Sequence, residues 1–96
     1  MERIELRIID DPGNTRVYKG PGHYAATRAQ TAIRRIEAAF PQIHFRVAPD
    51  QRLASLNAVA LVPAPIDSTT FIDVVAEALE ATGTRVAAST PLPSFS

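Results

Sequence analysis

From Arg3 to Ile8 the chain alternates one for one: Arg3, Glu5 and Arg7 against Ile4, Leu6 and Ile8. A period of two puts the two sets on opposite faces of an extended strand, so only one face is buried. Such a strand needs a second layer on its apolar side. Two segments further along supply it. Over residues 23–40, Ala25, Ala29, Ala32, Ile33, Ile36 and Phe40 recur at helical spacing. Thr27, Gln30, Arg34 and Glu37 fall on the opposite side, flanked by Arg28 and Arg35. Pro41 ends this helix at or before Phe40. The second helix carries Phe71, Val74, Val75, Ala78 and Leu79, an i, i+3, i+4, i+7, i+8 stripe. Asp67 or Ser68 is placed to cap its start, and Gly83 to take the left-handed conformation at its end.

The remaining strands are shorter. Ile43, Phe45 and Val47 alternate with His44 and Arg46. Residues 58–62, Ala-Val-Ala-Leu-Val, are continuously apolar, as in a strand more buried than its neighbours. Asp10-Asp11-Pro12-Gly13-Asn14 and Gly20-Pro21-Gly22 are turn sequences. The expected fold class is therefore α+β, a two-layer sandwich with both helices on one side of a sheet. Three connectivities satisfy that geometry. The first is βαββα. The second adds an edge strand at residues 85–88, giving a ferredoxin-like βαββαβ. The third is a grasp-like ββαββ, in which residues 15–19 pair with the first strand. The expected domain is residues 1–88, with residues 89–96 a flexible tail rich in Pro and Ser.

Ninety-six residues make one small domain, which buries roughly 60–65% of its unfolded surface. A composition 46% hydrophobic and 21% charged excludes wholesale disorder. Ten basic and ten acidic side chains cancel, which argues against a general polyanion binder. The cancellation hides a split. Residues 1–52 hold nine basic and six acidic residues, and residues 53–96 hold one basic and four acidic. The halves thus carry +3 and −3. The N-terminus has no hydrophobic signal region, and no apolar run is long enough to span a bilayer. The expectation is a cytoplasmic protein that does not bind membranes.

Without cysteine there is no disulfide, thiolate nucleophile or Cys-ligated metal. His23 and His44 stand apart, without a nucleophile elbow or a ligand cluster. Asp10 and Asp11 belong to a turn rather than a cation site. Gly20-Pro21-Gly22 precedes a helix but lacks a phosphate-loop pattern, and Pro21 removes a backbone donor. No catalytic residue, metal or cofactor is therefore expected, and the protein reads as no enzyme. What remains is surface. Asp73, Glu77 and Glu80 share one face of the second helix, with no basic residue at i+4. Direct nucleic-acid binding is not expected, because no exposed aromatic platform accompanies the basic residues.

Two segments carry a resemblance. Arg3-Ile4-Glu5-Leu6 opens the first strand, and Arg34-Arg35-Ile36-Glu37-Ala38-Ala39-Phe40-Pro41 closes the first helix. In both, and in element order over roughly residues 2–82, the chain resembles the DNA-damage-inducible DinI family, modulators of the RecA recombinase filament. The resemblance implies a βαββα fold and a regulator that docks through acidic residues of its second helix. Asp67, Asp73, Glu77 and Glu80 are the positions that would fill that role. The chain departs from the family where Gly83-Thr84-Arg85 follows the helix in place of a more acidic end, and where the first connection is longer.

Two other readings stand beside this one. One is a phage- or plasmid-type inhibitor or adaptor that binds an unrelated protein through the sheet's wet face, Arg3, Arg7, His44 and Arg46. The other is a ferredoxin-like enzyme or ligand-binding domain completed by dimerisation. The expected state is a monomer or an edge-strand dimer.

Overall fold

The computed structural model describes residues 1–92. The chain runs β1 (Glu2–Asp10), α1 (Ala25–Ala39), β2 (His44–Pro49), β3 (Ser55–Val62), α2 (Ser68–Glu80) and β4 (Thr84–Leu92). The strands form one sheet in the order β2-β3-β1-β4, with every neighbouring pair antiparallel. This is the βαββαβ connectivity with a fourth, outer strand, the ferredoxin-like variant of the expected two-layer sandwich. The βαββα form without that strand and the grasp-like form are both set aside.

Two assignments decide this. Residues 15–19 do not pair with β1; they belong to the long connection before α1. Residues 85–88 do pair with it, and β4 continues past Ala88 to Leu92, which lies opposite Arg3. Of the expected tail, residues 89–92 are thus strand, and residues 93–96 lie outside the described residues. The β1–β4 register shifts between Arg7 and Ile8, leaving Ala87 as an extra residue on β4.

The core lies between the sheet and the helices. Ile4, Leu6 and Ile8 of β1 and Leu56, Ala58, Ala60 and Val62 of β3 are all buried. Against them pack Ala26, Ala29, Ala32, Ile33 and Ile36 of α1 and Phe71, Val75 and Leu79 of α2. The small side chains of α1 let its backbone come close to its neighbours. The large ones of α2 fill the space beside them. Phe71 is fully buried, and its ring lies 5.9 Å from that of Phe45 on β2.

Candidate functional site

Asp67 caps the start of α2, and its side chain accepts a 2.7 Å hydrogen bond from the Thr70 backbone N–H. That bond holds the Asp67 carboxyl below its ordinary value. The carboxylate is thus committed to capping. Its side chain turns onto the first turn of α2, ahead of the Asp73–Glu77–Glu80 row. The structure therefore separates Asp67 from the other three carboxylates of the expected docking set.

Asp73, Glu77 and Glu80 themselves are exposed, in one row along the side of α2 opposite Phe71, Val75 and Leu79. Ala76, also exposed, lies within the row. No basic side chain comes within salt-bridge distance of these acids among the described residues. The carboxylates are therefore open to a partner. The Glu80 backbone carbonyl accepts a 2.8 Å bond from Asn14 Nδ2, which ties the first connection to the end of α2.

A second surface lies on the other side of the molecule. The helices cover one face of the sheet and leave the other open. Cross-strand register arranges that open face in rows. His44, Leu61 and Arg3 form one; Arg46, Val59, Glu5 and Thr90 form the next; Ala48, Asn57, Arg7 and Ala88 form the third. All four residues of the alternative site, Arg3, Arg7, His44 and Arg46, are exposed and share this face. Arg85 joins them: it is exposed and pairs with Ile9, the next outward position of β1 after Arg7. Sequence reasoning missed it because its face depended on the register of β4. Glu5 is the one carboxylate among these rows.

Arg28 departs most from expectation. Placed by helical spacing on the flank of α1, it is buried. Its Nε donates to the His23 carbonyl at 2.9 Å. Its Nη1 donates to the carbonyls of Thr82 and Gly83 at 2.8 and 3.0 Å, and its Nη2 to Asp10 Oδ1 at 2.6 Å. Lys19 Nζ lies 3.3 Å from the same carboxylate oxygen and also donates to the Asp11 carbonyl. Partial burial raises the Asp10 carboxyl, but hydrogen bonds from Arg28 and Lys19, with their charges, outweigh it and hold the group below its ordinary value. The cluster fastens the ends of β1 and α2 and the connection before α1. The hydrogen bonds in it tie elements of the fold together. The sequence offers one faint sign: a cation at the border of an alanine stripe.

Among the described residues, no group of three His, Asp or Glu side chains is placed to hold a metal ion. No helix there is long and apolar enough to cross a membrane. His23 stacks edge-on against Tyr18, with ring centres 4.9 Å apart, far along the chain from His44 on the open sheet face. No protein-family model, curated protein or solved structure matches this chain.

Proposed function

We propose that this protein is a non-enzymatic regulator that works by protein–protein contact, with Asp73, Glu77 and Glu80 of α2 as its docking face. One observation carries the reading: three exposed carboxylates in a row on a well-anchored helix, none engaged by a cation among the described residues. Such a row complements a basic groove in charge and steers the encounter with it. The resemblance to the DinI family names the partner to try first, an assembled RecA-type filament in the cytoplasm.

The test is co-sedimentation of the purified protein with RecA, with and without single-stranded DNA and nucleotide. Binding that requires the assembled filament and is lost in an Asp73→Lys, Glu77→Lys double variant is the expected result. Filament binding that the double variant retains at full strength removes α2 as the docking face. Absence of binding at low salt, where charge contacts are strongest, removes RecA as the partner.

A second reading has its own observation. Arg3, Arg7, His44 and Arg46 converge on the open sheet face, as an inhibitor or adaptor surface for an acidic protein would require. Reversal of Arg7 and Arg46 to Glu separates the two: it leaves α2-mediated binding intact and abolishes sheet-mediated binding.

A further inference from the structure

The two charged surfaces are of opposite sign, one on the helical layer and the other on the uncovered face of the sheet. The acidic row of α2 faces away from the core on the helical layer. The basic rows occupy the uncovered side of the sheet, where Arg3, Arg7 and Arg46 outnumber Glu5. Within one copy, among the described residues, no ion pair joins the two surfaces, although Glu80 shares a surface hollow with Arg16 and Arg85 at the β4 edge.

Their dimensions match. Arg3 and Arg7 are four residues apart on β1, about 13 Å at the rise of an extended strand. Asp73 and Glu80 are seven apart on α2, about 10.5 Å at the rise of a helix. Between Arg3 and Arg7 on β1 stands Glu5, and beside them on β3, towards Arg46, Val59 and Leu61 are half-buried apolar side chains. Between the acids sits Ala76, whose small side chain lets a helix approach closely. A helix laid on the open sheet face thus meets apolar surface at its centre and cations at its rim.

We propose that the open sheet face is a docking site for a second copy of this chain, received through the Asp73–Ala76–Glu77–Glu80 side of α2. The contact joins two different surfaces, so each copy keeps one of each free. Association is head to tail and continues to a ring or an open chain. A nucleic-acid strand suits the sheet face less well. Glu5 stands among the arginines, and no exposed aromatic ring lies on the face among the described residues, since Phe45 turns inward to Phe71.

The experiment is light scattering of the whole protein with two exposed double variants, Arg7→Glu with Arg46→Glu, and Asp73→Lys with Glu77→Lys. Circular dichroism checks that both keep the fold. In about 10 mM salt the wild type is expected to exceed the monomer mass of 10.4 kDa several-fold, and in about 1 M salt to return to it. Each variant alone is expected to stay monomeric. Their equimolar mixture is expected to associate again, because the acidic helix of one meets the basic sheet of the other. A wild type that is monomeric at low salt overturns the proposal, as does a folded mixture that fails to associate. A monomeric wild type that instead binds a single-stranded oligonucleotide through Arg7 and Arg46 assigns the face to nucleic acid and overturns it equally. The sheet variant keeps all its α2 carboxylates. Its binding to a basic partner therefore reads the docking role of α2 independently of self-association.

Discussion

The guanidinium of Arg28 meets the Asp10 carboxylate at 2.6 Å and, through its other donors, the carbonyls of His23, Thr82 and Gly83. One side chain thus joins the exit of β1, the entry of α1 and the turn from α2 into β4. The edge strand β4 starts at that turn. Its position beside β1 is therefore secured at one end by polar contacts and along its length by the ladder.

Replacing Arg28 with Ala leaves the buried Thr82 carbonyl without its donor, the Gly83 carbonyl with only the Asp11 N–H, and Asp10 without its closest counter-charge. A loss of about 2–4 kcal/mol is expected. Arg28→Lys recovers only part, because an ammonium cannot reproduce the planar fork that reaches four acceptors. Urea unfolding of the three proteins checks this. An Arg28→Ala protein as stable as wild type would mean that water replaces the whole network.

Gly83 has φ of +71°, and a Cβ there would lie 2.9 Å from Arg28 Nη1 and 3.0 Å from Val17 Cβ. Gly83→Ala therefore carries both the left-handed backbone cost and a collision with the clamp. A destabilisation of about 1–2 kcal/mol or more is expected from the backbone alone. Gly22 is also at positive φ, but a Cβ there would meet nothing within 4 Å, so Gly22→Ala should cost less. Thermal melting of both variants gives the comparison, and the reverse order would discount the clamp's crowding.

The acid response has a defined sign. A carboxyl depressed in the folded state contributes stability that is complete above its unfolded value, about 3.9, and is lost as pH falls through the folded value. Asp10 is such a group, and Asp67, held by the Thr70 N–H, is another. At Asp50 desolvation is outweighed by hydrogen bonds from Ala54 and Ser55, with the same outcome. The urea midpoint is expected to fall as pH drops below about 4. Asp10→Asn should lower the midpoint at neutral pH and fall less steeply in acid. Parallel curves down to pH of about 3 would take Asp10 out of the acid response.

Phe71 is the largest fully buried side chain among the described residues and bridges α2 to Phe45 on β2. Phe71→Ala should cost about 3–5 kcal/mol. Glu77→Ala, on the exposed side of the same helix, should change stability by less than about 0.5 kcal/mol. Denaturant midpoints measured side by side test whether the two faces of α2 divide packing from docking.

Local pattern decided much of this protein before any tertiary contact. The alternation of Ile4, Leu6 and Ile8, the stripes of α1 and α2, the cap at Asp67 and the left-handed Gly83 each follow from side chains a few residues apart. Periodicity and capping are local physics, so one stretch of chain suffices to reveal them. The acidic row Asp73–Glu77–Glu80 was legible for the same reason. What only the tertiary structure decided rests on partners far away in the chain. Residues 84–92 become a strand because β1 offers them an open edge, and residues 15–19 do not because β4 has taken it. Arg28, expected on a wet flank, goes inside because folding brings it the Thr82 carbonyl from 54 residues away. Arg85 reaches the basic sheet face because a bulge sets its register. A buried cation needs acceptors, and an edge strand needs an edge; both exist only once the layers have closed.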